Sequence, residues 1–190
     1  GSPSYEGKAI VGTVSSTNIS YASAVVFESG RTENTSVVYE ANAQKVVIAY
    51  KDKGNSSYGT AIVGTISGTS ISFGTAVVFD SSNSEAFSTD FDASNNTVVI
   101  AYHHGQSGKG YLIAGTVSGT NISFATRLQW DNDGGNGTSI VYNSTEEKSV
   151  ISYRNYSNNY GISIVYTGAG SSTNLTAENF IGIASNGYAT

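Results

Sequence analysis

A block of about 52 residues is repeated along the chain, and this repetition limits what the chain can fold into. One motif first occurs at 9–15 as Ala-Ile-Val-Gly-Thr-Val-Ser. Its further copies lie at 61–67, at 112–118 and, more faintly, at 163–167. A second motif ends in tyrosine and lies at 45–50, 97–102 and 148–153. A repeat of this length is typical of one supersecondary unit used several times. Function is therefore expected where the copies differ.

The length and the ends of the chain set the expected domain organisation. In this chain of 190 residues, a single domain is predicted over 5–190. Its repeats are predicted at 9–60, 61–111 and 112–162, with a partial one at 163–190. The chain has no methionine, and its opening Gly1-Ser2 is typical of a tag scar. Residues 1–4 are therefore treated as a scar and lead-in.

Charge and composition argue against several classes of function. The formal charge is −5 and the pI is about 4.9, with no basic stripe that could follow a nucleic-acid backbone. No apolar run approaches the roughly 18–20 residues that span a bilayer, so membrane insertion is not expected. Cysteine is absent, which rules out disulfides and thiolate sites in this chain.

Four short strands are predicted in each repeat, and the second copy shows them best. Strand A covers 87–93, strand B 97–103, strand C 110–118 and strand D 121–130. β-Branched and aromatic residues dominate these segments, and clusters of Gly, Asn and Ser separate them. Strand B is a continuous apolar run, which is typical of a strand covered on both faces. No segment has the roughly 3.6-residue period of a helix, so no helix is predicted.

The strand pattern predicts an all-β fold of β-propeller type. Four-stranded repeats of roughly 40–50 residues are typical of propellers, with one blade per repeat. Here strands C and D come first and three full sets follow, which makes about three and a half blades. Propellers close with roughly four to eight blades. The chain is therefore expected to be part of a larger ring or to be completed by other copies. The alternative is another all-β repeat fold, such as a β-prism or stacked hairpins.

One face of the predicted fold carries the variable segments. The turns between strands C and D are short and alike in all copies. Longer loops between strands D and A are predicted at 28–34, 80–86 and 131–137, and the loops after strand B also differ between copies. Long polar loops on a rigid framework are where binding usually occurs.

Polar residues of different kinds follow strand B in each copy and form the candidate binding site. They are Lys51 and Asp52, His103 and His104, and Arg154 and Asn155. Trp130 at the end of a strand D and Tyr156 in a loop add aromatic faces. An aromatic face with a few convergent polar groups is common in sugar sites. These residues are predicted to bind a ligand such as a glycan. The alternative is a solvated loop edge.

Aromatic residues at repeated positions are interpreted first as packing groups. Trp130 stands where other copies have Phe27 and Phe79, which favours a larger core wedge over a sugar platform. Tyrosine ends strand B in each copy, and its hydroxyl is expected to bond to neighbouring backbone. These tyrosines are Tyr50, Tyr102 and Tyr153.

The chain offers little catalytic or metal chemistry. Neighbouring residues on a strand point to opposite faces, so His103 and His104 are not expected to share a metal ion. Residues Asp131–Asn136 have part of the spacing of a calcium loop, but Tyr142 stands where the distal Glu belongs, which favours an ordinary turn. Facing carboxylates, a nucleophile elbow and a phosphate-binding glycine loop are not recognisable. We therefore predict a non-enzyme without a cofactor, with Ca²⁺ as the alternative.

Three segments of the chain resemble a known group of proteins. They are Gly-Thr-Ile-Ser-Gly-Thr-Ser-Ile-Ser-Phe-Gly-Thr-Ala-Val-Val-Phe at 64–79, Thr-Val-Val-Ile-Ala-Tyr at 97–102, and the tail at 173–184. They resemble tandem repeats, and the segment that follows them, in virion structural proteins of tailed phages, notably marine ones. Tyr166 replaces the glycine of the earlier copies, which is typical of a terminal unit. The resemblance implies a tail-fibre or tail-associated protein of the virion, located outside the cell and adhering to the host surface.

Together these observations predict a non-catalytic, lectin-like binding module. Its expected partner is a cell-surface glycan or host receptor, bound weakly at each site and strengthened by multivalency. The expected assembly is a homo-oligomer or a larger virion protein. The rival interpretation is a structural spacer or oligomerisation domain of a tail fibre, whose exposed strand edges pair with another subunit.

Overall fold

The fold consists of β-strands and turns, as the sequence predicts. A computed structural model describes residues 5–132 and 134–168, with the side chain of Asn136 left out. Strands make up 70% of the described residues and none of them is helical. No helix that could span a membrane occurs in this part of the chain. The prediction of an all-β fold is confirmed.

Fifteen strands follow one another along the described chain. They are β1 (Glu6–Ala9), β2 (Gly12–Ser15), β3 (Asn18–Tyr21), β4 (Val25–Glu40), β5 (Lys45–Asp52), β6 (Tyr58–Ser67), β7 (Ser70–Phe73), β8 (Val77–Asp92), β9 (Thr97–His104), β10 (Gly110–Ser118), β11 (Asn121–Phe124), β12 (Leu128–Asp131), β13 (Gly135–Asn143), β14 (Lys148–Asn155) and β15 (Gly161–Tyr166).

Antiparallel pairing arranges these strands in three sheets. Ten strands form one sheet in the order β1-β4-β5-β6-β8-β9-β10-β11, with β7 beside β6 and β12 beside β10. The strands β13, β14 and β15 form a second sheet, and β2 with β3 forms a third. None of these sheets closes on itself within the described residues.

The longest strands each pair with two different sets of partners. Residues 77–83 of β8 pair with β6, and residues 84–92 pair with β9. Register shifts accompany the change of partner, and Ala86 adopts a left-handed φ of 56° beside one of them. In β4, Asn34 has the equivalent conformation, with φ 51°. The loops predicted at 28–34 and 80–86 are therefore bulged parts of strands.

The changes of partner divide the chain into a half-unit and three units. The half-unit comprises residues 6–28, unit 1 comprises 35–80, unit 2 comprises 88–131 and unit 3 comprises 138–166. Strands β4, β8 and β13 enter units 1, 2 and 3 respectively, and each is followed by two further antiparallel strands. The half-unit contains only β1, β2, β3 and the start of β4.

Apolar clusters join each unit to the next. The cluster between the half-unit and unit 1 contains Ala9, Phe27, Ile48, Tyr50, Ile62 and Phe73. The cluster between units 1 and 2 includes Val47, Ala49, Val63, Val98, Ile100 and Ile113. The cluster between units 2 and 3 includes Val99, Leu112, Ile140, Ile151 and Ile164. Each fully buried Val, Leu or Ile contributes roughly 1.5–3 kcal/mol, so these clusters hold the units together.

A glycine near the start of the third strand lies under an aromatic ring in units 1 and 2. A Cβ added to Gly59 would lie 2.6 Å from the ring of Phe79, and one added to Gly110 would lie 2.5 Å from the ring of Trp130. In unit 3 the corresponding Gly161 has no described atom within 4 Å of such a Cβ. The close approach of ring and backbone therefore requires glycine in units 1 and 2.

We expect Gly110→Ala to destabilise the fold and Gly161→Ala to leave it nearly unchanged. The added methyl group in unit 2 forces the Trp130 ring to move, and overpacking of this kind costs about 1–3 kcal/mol. Urea denaturation of both variants and the parent protein measures the difference. Equal unfolding free energies for the two variants would contradict the packing described here.

Candidate functional site

A tyrosine–carboxylate pair recurs where each unit meets the one before it. The hydroxyl of Tyr50 donates to Glu28 at 3.4 Å, and that of Tyr102 donates to Asp80 at 2.6 Å. The hydroxyl of Tyr153 donates to Asp131 at 3.2 Å. These tyrosines are buried, as expected, and their hydroxyls donate to carboxylate side chains. The recurring carboxylate therefore links the end of one unit to a buried tyrosine of the following unit.

The residues directly after these tyrosines lie in different surroundings. Lys51 is buried, with its Nζ 3.3 Å from Oε2 of Glu85. His103 is 1% exposed. Arg154 remains exposed and donates from Nη2 to Oδ1 of Asn159 at 2.6 Å. Each of the three is held by its own partners, and only the guanidinium of Arg154 is open to a ligand from solvent.

His103 lies between units 2 and 3 in a largely apolar environment. Its ring packs edge-on against Trp130, with 4.9 Å between ring centroids. Its Nδ1 is 2.7 Å from Oγ1 of Thr138, while Nε2 has no hydrogen-bond partner in the described residues. Burial lowers the pKa of His103 to about 4. The imidazole is therefore neutral at physiological pH.

The next position along the chain plays two different roles. Asp52 accepts from the backbone N–H of Asn55, and Asn155 accepts from those of Ser157 and Asn158. These two side chains therefore cap the turn that follows their own strand. His104 does not cap a turn, because its Nε2 reaches Asp80 in the preceding unit at 2.9 Å. The copies thus differ in function at this position.

His104 belongs to a cluster of five side chains, the Arg127 cluster, formed by Asp80, Tyr102, His104, Tyr111 and Arg127. One oxygen of Asp80, Oδ2, is within hydrogen-bond distance of three groups. They are the Tyr102 hydroxyl at 2.6 Å, His104 Nε2 at 2.9 Å and Arg127 Nη1 at 2.5 Å. The other oxygen accepts from the backbone N–H of Ser82. The carboxylate is therefore fully occupied.

The ring of Tyr111 packs against two other side chains of the cluster, Arg127 and His104. The guanidinium carbon of Arg127 lies 4.6 Å from the ring centroid of Tyr111, within the range of a cation–π contact. The imidazole of His104 lies 4.2 Å from the same ring, tilted by 35°. The side chain of Asp80 is 0% exposed, whereas that of Arg127 is 41% exposed. The cluster thus presents a fixed guanidinium at the surface.

Electrostatics stabilise the charged form of this cluster. Burial raises the pKa of Asp80, but hydrogen bonds from Tyr102, His104 and Arg127 outweigh it and leave the pKa below its ordinary value. Burial and the hydrogen bond to Asp80 raise the pKa of Tyr102. Burial lowers the pKa of Arg127, yet Asp80 raises it more, so its pKa lies above the ordinary value. A carboxylate–guanidinium pair at the centre of the cluster is the result.

Three members of the Arg127 cluster have no like residue in the other copies. Arg127 corresponds to Ala24 and Ala76, and His104 corresponds to Asp52 and Asn155. Tyr111 follows the glycine that starts its strand, where other copies have Lys8, Thr60 and Ile162. These three differences meet at a single joint between units. The change from alanine to arginine is the signal by which the sequence could have shown this site.

The two aromatic residues of the predicted site, Trp130 and Tyr156, contact residues that do not belong to the Arg127 cluster. Trp130 packs against His103 and Tyr153, with 4.5 Å between its ring centroid and that of Tyr153. Trp130 is partly buried against the apolar cluster between units 2 and 3. Tyr156 is exposed, and the guanidinium of Arg154 lies 6.0 Å from its ring centroid. Arg154 and Tyr156 therefore form a smaller patch on unit 3.

The calcium alternative falls partly on residues that the structure does not describe. Asp131 accepts from Tyr153, and Asn132 accepts from Gln129 at 2.7 Å. Asp133 and the side chain of Asn136 lie outside the described residues, as does the tail at 173–184. Elsewhere, no group of three His, Cys, Asp or Glu side chains in the described ranges could hold a metal ion.

Comparison with known proteins adds no relative. No protein-family model, no curated protein and no solved structure matches the chain. Function must therefore be inferred from the residues of this chain alone.

Proposed function

We propose that the chain is a non-catalytic binding module that recognises glycans of a host cell surface through the Arg127 cluster. The observation that carries the proposal is the convergence of Arg127, His104 and Tyr111, each particular to one copy, at one joint. Residues that only maintained the scaffold would recur in the other copies, as the tyrosine–carboxylate pairs do.

The chemistry of the cluster favours an anionic group on the glycan. Arg127 donates to Asp80 through Nη1, which also lies 3.3 Å from Nε2 of His104, so Nη2 and Nε remain available to a ligand. A guanidinium held flat on an aromatic ring is preorganised, which lowers the entropic cost of binding. Its planar fork matches a carboxylate or a sulfate, and a charge-assisted hydrogen bond of this kind contributes about 1.5–3 kcal/mol.

We further propose that the units are arranged as blades of a propeller-like array. The entering strands of neighbouring units lie side by side, which supports this arrangement. The side-chain hydroxyls of Ser36 and Thr89 are hydrogen-bonded at 2.9 Å, and the backbone N–H of Ile140 donates to the hydroxyl of Ser88 at 3.1 Å. The equivalent strands are thus stacked in the order of the chain, as in blades around an axis.

The biological setting of the proposal comes from the resemblance of the repeats. The resemblance supports a tail-associated protein of a phage-like virion, outside the cell, in which the chain is a homo-oligomer or part of a larger protein. Weak sites repeated on such a particle bind through multivalency. No catalytic role, cofactor or nucleic-acid partner belongs to the proposal. The rival function, a structural spacer, predicts no glycan binding at all.

An array of neutral, sulfated and carboxylated glycans tests the proposal with the parent protein and two variants. We expect binding of acidic glycans, a loss of at least about tenfold in Arg127→Gln, and little change in the control Arg154→Gln. A charge-assisted hydrogen bond of roughly 1.5–3 kcal/mol justifies that magnitude. Near-ultraviolet circular dichroism verifies that both variants are folded.

The outcomes of this experiment separate the functions. Binding that Arg154→Gln abolishes and Arg127→Gln does not would move the site to the patch on unit 3. Complete absence of binding by the folded parent protein would favour the structural spacer. Addition of calcium to one arm tests the alternative ligand at Asp131–Asn136.

A further inference from the structure

The half-unit lacks two strands that the other units possess. In unit 1, β6 pairs with β5 on one edge and with β7 and β8 on the other. Among the described residues, the corresponding strands of the half-unit, β1 and β2, pair only with β4 and β3 respectively. Within the described residues, the edge of β1 and β2 that corresponds to the β5 side of β6 therefore carries no neighbour. An unpaired edge of this kind is a template for strand addition.

A cleft occupies the position of the two lacking strands. Its volume is about 390 Å³, and its walls come from the half-unit and from unit 1. The lining includes Ile10, Val11, Val37, Val46, Ile48 and Ile66. Ile10 is 49% exposed, whereas its counterpart Ile62 in unit 1 is 3% exposed. Ile62 is covered by Ala9 and Phe27 of the half-unit and lies beside Ile48 of the paired strand β5, and Ile10 has neither kind of neighbour among the described residues.

The joints inside the molecule show what covers this face elsewhere. The hydroxyl of Thr89 in β8 is hydrogen-bonded to that of Ser36 in β4, the entering strand of the preceding unit. Ile140 of β13 is buried against unit 2. Their counterpart in unit 1 is Val37, which is 64% exposed. In the later units, therefore, the entering strand of the preceding unit covers this position. In unit 1 the entering strand has no such neighbour among the described residues.

We propose that this cleft binds an antiparallel β-hairpin of the same kind as residues 35–52, which completes the half-unit. One strand of the hairpin pairs with the free edge of β1 and β2, as β5 pairs with β6. The other covers Val37, as Ser36 and its neighbours cover β8. Alternating Val and Ile side chains of the hairpin fill the apolar lining. The proposal does not depend on the glycan function, because the cleft and the Arg127 cluster lie at different joints.

A fusion protein tests the fit directly. A second copy of residues 35–56 is joined to the chain immediately N-terminal to Tyr5, because Ser57 corresponds to Tyr5 in the repeat. The control fusion carries Val47→Asp and Ala49→Asp in the added copy only. In unit 1 these two residues are fully buried at the joint with unit 2, so the equivalent residues of the added hairpin would face unit 1. Both fusions retain residues 5–190 unchanged.

Hydrogen exchange and thermal unfolding report the result. We expect the amides of residues 8–12 to be protected at least about tenfold in the first fusion relative to the control. We also expect a higher Tm for the first fusion, since added burial stabilises the native state. Equal exchange and equal Tm in the two fusions would overturn the proposal, as would a first fusion less stable than its control.

Discussion

Acidification from about pH 6.5 to about pH 4 is expected to lower the free energy of unfolding by roughly 3 kcal/mol through His103 alone. Burial lowers its pKa in the folded protein to about 4, against 6.5 in an unfolded chain. Between these values the unfolded state binds more protons, so stability is complete above pH 6.5 and is lost as the pH falls. One pKa unit corresponds to roughly 1.4 kcal/mol, which gives the stated total.

Urea titrations at several pH values measure this loss, and His103→Gln is the control. A neutral amide in place of the imidazole abolishes the titration, so the variant should lose less stability over the same interval. The carboxylate of Asp80 does not interfere, because its pKa is lowered below 3.8 and its contribution is lost only in stronger acid. Parallel pH profiles for the parent protein and the variant would contradict the buried, neutral state of His103.

Local sequence patterns predict the central strands of each unit well. Strand B, predicted at 97–103, is β9 at Thr97–His104, and strand C, predicted at 110–118, is β10. Continuous β-branched runs bounded by Gly and Asn define such strands without reference to the rest of the molecule. The predicted loop at 80–86 shows where this fails. Polar residues there continue a strand because each half finds a different partner, and pairing partners are not a local property.

The candidate site can be predicted only in part from the sequence, for a similar reason. Lys51, His103 and Arg154 occupy one position of the repeat, yet the first two are buried and the third is exposed. Burial at this position depends on which side chains the next unit presents, such as Glu85 or Trp130. The sequence pattern predicts His104 as a site residue but neither Arg127 nor Asp80. Arg127 is 23 residues and Asp80 is 24 residues away from His104 along the chain, so their contacts with it are not a local property of the sequence.

Replacement of Asp80 by alanine is expected to destabilise the protein by about 3 kcal/mol. The buried carboxylate accepts from Tyr102, His104 and Arg127 through one oxygen. Its removal leaves the Tyr102 hydroxyl buried without an acceptor and Arg127 without its counter-ion. Loss of one partner of a buried pair costs about 3–5 kcal/mol, and the partial exposure of Arg127 favours the lower end of that range.

Glu28→Ala is the matched control, because Glu28 holds the same position of the repeat one unit earlier. Its contact with Tyr50 is longer, at 3.4 Å, and no histidine or arginine joins it in the described residues. We expect this variant to cost about 1 kcal/mol, the net value of an ordinary hydrogen bond. Urea denaturation of both variants measures the difference. Similar losses of stability in the two variants would mean that Asp80 serves only the scaffold. A larger loss for Asp80→Ala that disappears when Arg127→Ala is added would have a different meaning. It would show that the cluster maintains a buried charge in order to hold Arg127 at the surface.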